Sequence, residues 1–171
     1  MPENGLNTQY GLEHLQYWLG DGHWAVIHFN FGLHDIHTAP TGPREVPIND
    51  YEQNLRQLVK ELRATGAKLI WASTTPVPEG LTVRHEADVV AYNAVAKKIM
   101  DENHIPIDDL HAFVKSWGEK RADWQLPHNV HKSWQRQKAD WQLPQNVHFW
   151  PEGYTELGAQ VAKYILAALH E

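Results

Sequence analysis

Two histidines end two nearly identical ten-residue stretches of this sequence. Residues 122–131 read ADWQLPHNVH and residues 139–148 read ADWQLPQNVH, so His131 and His148 are equivalent positions seventeen residues apart. Histidine is well suited to accept a proton near neutral pH, because its ordinary pKa is about 6.5. The sequence therefore offers two copies of one candidate general base, in what we interpret as a duplicated loop segment at 122–148.

Serine supplies the nucleophile in many hydrolases that use such a base, and this chain has only Ser73, Ser116 and Ser133. Ser73 ends a predicted strand at 67–74, and ligand sites of parallel sheets lie at the carboxyl ends of the strands. A serine at the end of a strand often only satisfies backbone groups. Ser73 is nevertheless our candidate for a catalytic nucleophile.

Histidine pairs at short spacing raise the alternative of a metal site. His34-Asp35-x-His37 and His128-x-x-His131 each bring imidazoles close together, and a hydrolytic zinc site uses three protein ligands and a water molecule. However, twelve histidines in 171 residues produce close pairs by chance, and no HExxH motif occurs. We therefore predict no metal and no other cofactor.

Alternating strands and helices must position these residues, and this alternation is typical of a doubly wound parallel sheet. WAVIHFNF, at 24–31, is a nearly continuous apolar run, which predicts a strand covered on both faces. Further strands are predicted at 67–74 and 104–107, and Asn49 or Asp50 is expected to cap the second helix. Helices are predicted at 11–19, 51–64, 85–102, 108–117 and 151–169.

Composition limits the classes of partner. A formal net charge of -6 provides no basic surface for a phosphate backbone, so we expect no nucleic-acid partner. No apolar run approaches the roughly eighteen residues of a membrane span, and the first residues lack the pattern of a secretion signal. We expect a single soluble domain over 1–171 that binds a small molecule, and the compartment is not indicated.

Four segments resemble, in chain order, conserved parts of the SGNH, or GDSL-type, hydrolases. PENGLNTQYGLEHL at 2–15 is similar to the second block of that family, and HFNFGLHDI at 28–36 is similar to the third block. LIWASTTPVP at 69–78 resembles the strand and loop that follow, and VHFWPEGYTELGAQVAKYI at 147–165 resembles the last block. The resemblance implies a three-layer α/β/α sandwich with a flavodoxin-like parallel sheet, and it is stronger to small esterases than to lipase-like members.

The resemblance implies that His148, rather than its duplicate, is the general base, because the family base directly precedes a Pro-Glu-Gly-Tyr helix start. The acid of the family's Asp-x-x-His falls here at Gln145, and the neighbouring Asn146 is also uncharged. An amide can orient an imidazole but cannot stabilise the imidazolium, so we expect a weak base. Asp140 or Asp123 would supply a carboxylate if the duplicated segment folds back.

The family also implies an oxyanion hole, the set of donors that stabilises negative charge on the substrate oxygen. Its second-block glycine corresponds to Gly5, and its third-block asparagine is replaced by His34, two residues after Gly32. A histidine can donate through a ring nitrogen, so this role survives the replacement. Asn30, two residues before Gly32, is a possible substitute.

The family's first block, a strand ending in Gly-Asp-Ser, has no counterpart, because Gly20-Asp21-Gly22 contains no serine. We interpret the chain as an SGNH domain shortened at its N-terminus. In this family the missing strand lies beside the third-block strand, so its loss exposes the edge of 24–31. Because unpaired apolar edges attract partners, we expect a homodimer or a domain-swapped oligomer through that strand.

The sequence therefore predicts an esterase for small acyl esters or acetylated carbohydrate esters, weakened or inactivated by the missing serine block. One alternative is a non-catalytic remnant or carbohydrate-binding module. A second alternative is a histidine-based, metal-dependent hydrolase. The groove of the binding module would be lined by Trp124, Trp134, Trp141 and Trp150.

Overall fold

The structure is a computed structural model that describes residues 4–38, 42–119, 141–143 and 145–170. Strands and helices alternate along most of these residues. None of the helices in these ranges is both long and apolar enough to cross a membrane. The strands are β1 (Val26–Phe29), β2 (Lys68–Ala72) and β3 (Ile107–Asp108), and the helices are α1 (Thr8–Leu19), α2 (Ile48–Ala64), α3 (Glu86–Glu102), α4 (Leu110–Glu119) and α5 (Pro151–His170).

The three strands form a parallel sheet in the order β1-β2-β3. Val26 lies opposite Lys68 and Phe29 opposite Trp71 in the first pair. Helix α5 packs against all three strands, whereas α2 packs against β2 and contacts both α1 and α3. The predicted α/β fold with a parallel sheet is confirmed.

The main core joins buried residues of β1 and β2 with those of α1, α2 and α3. The apolar residues of α2 recur every three or four positions, so they form one stripe along the helix, and that stripe is buried. Each fully buried leucine of this kind contributes roughly 2 kcal/mol through removal of apolar surface from water. The buried α2 residues are Tyr51, Leu55, Leu58, Val59 and Leu62.

The predicted boundaries of two elements were wrong for local backbone reasons. Helix α2 begins at Ile48 with Pro47 as its N-cap, so Asn49 and Asp50 lie inside the first turn and do not cap it. Pro47 has a non-helical ψ of 150° and offers the first turn no side-chain hydrogen bond. Strand β3 starts later than expected, since His104 has a φ of +53° and cannot continue an extended strand.

The start of α4 also differs from the prediction. Asp108, the expected cap, is the last residue of β3 and is fully buried. Its neighbour Asp109 accepts a hydrogen bond from the backbone N–H of Ala112 at 3.0 Å. This bond satisfies one of the backbone donors that the first turn of a helix leaves unpaired.

β1 lies at the edge of the sheet, because among the described residues only β2 pairs with it. The N–H of Lys68 donates to the carbonyl of Ala25 at 3.0 Å. Since residues of a parallel ladder point alternately to one neighbour and the other, the backbone groups of Val26 and His28 face away from β2. This free edge is shorter than the predicted strand at 24–31.

Gly32, just beyond β1, occupies a position that only glycine fits. Its φ is +147°, which other residues rarely adopt, and a Cβ there would collide with Oγ1 of Thr74. The same hydroxyl donates to the carbonyl of Phe31 at 3.3 Å. The chain after β1 therefore passes in direct contact with the chain after β2.

Asp35 joins this loop to the start of α1. Its side chain is fully buried, and Oδ1 accepts hydrogen bonds from the N–H of Thr8 at 2.9 Å and from its hydroxyl at 2.5 Å. Oδ2 has no hydrogen-bond partner among the described residues. Burial raises the pKa of Asp35 to about 6, although the bonds from Thr8 act in the opposite direction.

We expect Gly32→Ala to lower the free energy of unfolding by about 2 kcal/mol or more, because the new methyl group is strained and meets Thr74. Urea unfolding followed by tryptophan fluorescence measures the change. Gly158→Ala is the matched control, since nothing lies within 4 Å of that position in α5. The control should stabilise by up to about 1 kcal/mol. Equal effects at the two glycines would contradict this reading of Gly32.

The raised pKa of Asp35 predicts a pH-dependent stability. Its folded pKa of about 6 exceeds the ordinary 3.8, so the folded state binds the proton more tightly and stability falls as pH rises from about 4 to 6. Asp35→Asn cannot ionise. The free energy of unfolding of wild type relative to this variant should therefore fall by on the order of 2 kcal/mol across that window.

Urea titrations at a series of pH values measure this difference. Asp101→Asn is the control, because Asp101 lies on the surface of α3 in an exposed pair with Lys97. If the free energies of unfolding of wild type and Asp35→Asn change with pH in the same way, Asp35 ionises equally well in the folded and unfolded states, which would contradict the prediction.

Candidate functional site

A groove of about 650 Å³ runs along the free edge of β1. Its walls come from the residues before α1, from one side of α1, and from the loop that follows β1. The loop that precedes α5 contributes Val147 and His148. The candidate site residues that line it are Gly5, Asn30, Gly32, His34 and His148.

The loop that carries His148 is held to the body of the protein at both ends. Its two sides form a β-bridge between Gln142 and Phe149, and the N–H of Leu143 donates to the carbonyl of His148 at 2.9 Å. The side chain of Gln142 donates to the carbonyl of Pro76 at 2.8 Å. These bonds fix the backbone of His148 beside the loop that follows β2.

Aromatic packing anchors the same loop. Phe149 and Trp141 both contact Trp117 of α4 edge to face, at ring distances of 5.8 and 5.3 Å. Trp141 is buried in this cluster, so the prediction that it lines a sugar-binding groove was wrong. Aromatic residues on this loop act as hydrophobic anchors.

The hydrogen bonds of His148 identify its tautomer. Oδ1 of Asn146 accepts from the backbone N–H of His148 at 3.1 Å and lies 2.7 Å from Nδ1 of the ring. An amide oxygen only accepts, so in the neutral ring Nδ1 carries the proton and the lone pair is on Nε2. This leaves Nε2 with the lone pair that a general base would use, and Asn146, the residue predicted to orient the ring, is the one that bonds to Nδ1.

The candidate oxyanion donors differ in whether their N–H groups already bond to other groups of the protein. The amide of Asn30 donates to the carbonyl of Ala72 at 2.7 Å and to Oγ1 of Thr74 at 3.2 Å, so both its N–H groups hold β1 to β2. Burial, followed by the positive charge of Arg84, lowers the pKa of His34. His34 is thus neutral at pH 7 and has one ring N–H to offer.

The structure does not bring Ser73 to the groove. Ser73 is 4% exposed, and its hydroxyl donates to Asp109 at 2.8 Å and accepts from the N–H of His111 at 2.8 Å. Ser116 bonds to the backbone of its own helix at Phe113. Within the described residues no serine lines the groove, and Ser133 lies outside them.

Several predicted residues cannot be placed, because they fall outside the described ranges. The described residues contain no group of three or more side chains suited to a metal ion. In the predicted His34-Asp35-x-His37 pair, Asp35 binds Thr8 and His37 pairs with Glu45 at 2.8 Å. The predicted residues that lie outside are Asp123, Trp124, His128, His131, Trp134 and Asp140.

Two polar contacts whose partners the sequence does not indicate support the site. The Asp35–Thr8 bonds hold the segment with Gly5 against the segment with Gly32. On the other face of the sheet, Asp108 accepts from Gln160 of α5 at 3.1 Å and lies 3.1 Å from Nε2 of His28. Both contacts join residues far apart in sequence, so no local motif indicates them.

Arg84, which also lines the groove, was likewise missed. Its Nε donates to the carbonyl of Leu33 at 2.7 Å, which places the guanidinium next to His34. It belongs to the loop between β2 and α3, where sequence patterning carries little information about side-chain direction.

Solved structures of two enzymes resemble this fold. A lipase/acylhydrolase from Enterococcus faecalis superposes with a TM-score of 0.70 at 19% identity, over 94% of this chain and 71% of that one. The acetyl xylan esterase AlAXEase gives a TM-score of 0.73 at 13% identity, over 95% and 78%.

A third similar structure is a mutant acetyl-xylooligosaccharide esterase from Geobacillus, with a TM-score of 0.61 at 17% identity, over 97% and 68% of the two chains. A comparison with curated proteins found no match. Residues 3–155 match the sequence model of the GDSL-like lipase/acylhydrolase family, which is most of the chain. The chain therefore belongs to the GDSL-like lipase/acylhydrolase family.

Proposed function

We propose that this chain hydrolyses carboxylic esters of small acyl groups, including acetyl groups on carbohydrates. The observation that carries the proposal is the meeting of His148, with Nε2 free to accept a proton, and the donors of the 4–5 and 32–34 segments in one groove. Family membership supports an acylhydrolase. The names of two similar structures, both acetyl esterases of xylan or its oligosaccharides, favour acetylated carbohydrate.

Ester hydrolysis needs a base, an attacking oxygen and donors for the oxyanion. Nε2 of His148 is the base in this proposal. The backbone N–H groups of Gly5 and Gly32 and the ring N–H of His34 are the donors. A neutral His34 suits this task, because it donates without introducing a second positive charge that would oppose protonation of the base.

We propose water as the attacking group, since no serine of the described residues lines the groove. His148 accepts a proton from water as the water oxygen bonds to the ester carbon. The oxyanion then collapses, the bond to the alcohol oxygen breaks, and that oxygen takes the proton from the imidazolium. An acid and an alcohol leave. Asn146 gives the imidazolium no charge stabilisation, so the reaction should be slow.

Hydrolysis of p-nitrophenyl acetate tests the roles of His148 and Ser73. His148→Ala should lower kcat/KM by about 100-fold, because a general base typically contributes at least that factor. Ser73→Ala should keep the rate of the folded protein, since the Ser73 hydroxyl is buried and bonded elsewhere. His23→Ala is the control for loss of an exposed histidine outside the groove.

Loss of activity in Ser73→Ala with a wild-type melting temperature would show that Ser73 is the nucleophile. Equal rates in wild type and every variant would exclude both catalytic roles. That result would favour the second candidate function, carbohydrate binding without hydrolysis. The observation that favours it is the presence of Trp18 and Trp24 in the groove, with Trp24 46% exposed.

We also propose that two copies of the chain pair through β1. The outward backbone groups of Val26 and His28 can bond to the same residues of a second copy, antiparallel across a two-fold axis. Apolar residues that line the groove beside this edge, including Trp18 and the exposed Trp24, would lose water on pairing. This pairing would fill the part of the groove beside Val26 and His28. The proposed donors Gly32 and His34 lie beyond the carboxyl end of β1, at the end of the groove that stays open.

Val26→Pro should convert the dimer to a monomer in light scattering. Its ring removes an outward N–H that β2 does not use, and proline is tolerated in an edge strand. Leu166→Ser with Leu169→Ser is the control, because these two residues form an exposed apolar pair at the end of α5. A monomeric wild type, or a dimer that only the α5 control disrupts, would contradict pairing through β1.

A further inference from the structure

The groove along β1 has an unusual charge for this protein. The chain carries 21 acidic and 15 basic residues, yet no aspartate or glutamate of the described ranges lines the groove. Its ionisable side chains are Arg84 and three histidines, His28, His34 and His148. A cleft with one sign of charge concentrates ligands of the opposite sign. The groove is therefore complementary to an anionic ligand.

Arg84 is the only arginine in the described part of the chain whose side chain has no side-chain partner there. Arg44 pairs with Asp88, Arg56 with two glutamates, and Arg63 with Asn103. Arg84 instead uses Nε to bond to the carbonyl of Leu33, at 2.7 Å. This bond fixes the direction of the guanidinium and leaves both Nη groups for a ligand.

Glu45, the acid whose charge acts on Arg84, does not occupy those Nη groups. Glu45 influences Arg84 only through its charge, and it does not line the groove. Its carboxylate is engaged by Nδ1 of His37 at 2.8 Å and by the amide of Asn7 at 3.2 Å. Burial lowers the pKa of Arg84, so its charge is incompletely compensated within the protein.

We propose that Arg84 binds a carboxylate on the substrate, so the preferred esters carry a carboxylate on the acyl or the alcohol part. This inference rests on the proposed ester hydrolysis, because Arg84 lies next to His34 and acts at the same end of the groove. The two Nη groups match the two oxygens of a carboxylate. An acetylated sugar acid combines such a carboxylate with the ester that the proposed function requires.

Matched substrates test this specificity. The monoanionic ester 4-nitrophenyl hydrogen adipate and the neutral 4-nitrophenyl hexanoate have six-carbon acyl chains and the same leaving group. Wild type should prefer the adipate in kcat/KM, after subtraction of the rate without protein. Arg84→Gln should reduce the adipate-to-hexanoate ratio by about 10-fold, the loss typical of a charge-assisted contact. Arg63→Gln, with the same change of net charge, should leave the ratio unchanged.

Arg84→Lys keeps the charge but not the paired donors, and it should fall between wild type and Arg84→Gln. If Arg84→Gln melts at a lower temperature than wild type, the substrate ratio of Arg84→Lys is compared with that of wild type instead. An unchanged ratio in both variants would overturn the proposal.

A binding measurement separates this proposal from the proposed function. Calorimetry measures the binding of glucuronate and of glucose to the protein and does not depend on catalysis. If no ester is hydrolysed, the proposed hydrolysis is wrong. The anion site is still supported if glucuronate binds more tightly than glucose, and if that difference is lost in Arg84→Gln but kept in Arg63→Gln. No preference for glucuronate over glucose in wild type would overturn the anion site.

Discussion

The parallel pairing of β1 with β2 is the interaction on which the candidate site depends. It fixes β1 along one side only, so the backbone of Val26 and His28 faces the groove, and it directs the chain beyond β1 into contact with Thr74. Gly32 allows that contact. The buried bonds between Asp35 and Thr8 then hold the start of α1 against the same loop. Two segments far apart in sequence thereby form one wall of the groove.

The electrostatic potential in the groove depends on which of its lining side chains carry a charge. Burial and the nearby Arg84 favour the neutral form of His34, and Asn146 orients His148 without adding a negative charge. Among the described residues that line the groove, Arg84 therefore supplies the only permanent charge. In the proposed reaction, this arrangement would favour attack on a polarised carbonyl and binding of an anionic substrate, but it would give little stabilisation to a protonated His148.

The sequence predicts the elements well and the polar contacts poorly. The apolar run at 24–31 and the stripe of α2 depend on periodicity, which burial imposes directly. Element ends depend on single backbone angles, such as that of His104, which a pattern does not reveal. His148 and Asn146 lie two residues apart, so their bond could be foreseen. Asp35 and Thr8 meet only through the tertiary fold, and no sequence pattern connects them.

The proposed reaction requires that the neutral ring of His148 carries its proton on Nδ1 and has Nε2 available as a base. Long-range ¹⁵N–¹H correlation spectra of the histidine rings, recorded above the pH of imidazole protonation, measure this tautomer directly. We expect the proton of the neutral His148 ring on Nδ1 in the wild-type protein. In Asn146→Ala the proton should no longer prefer Nδ1 over Nε2. A proton on Nε2 in the wild-type protein would contradict the proposed reaction, because that nitrogen could not then accept a proton from the attacking water.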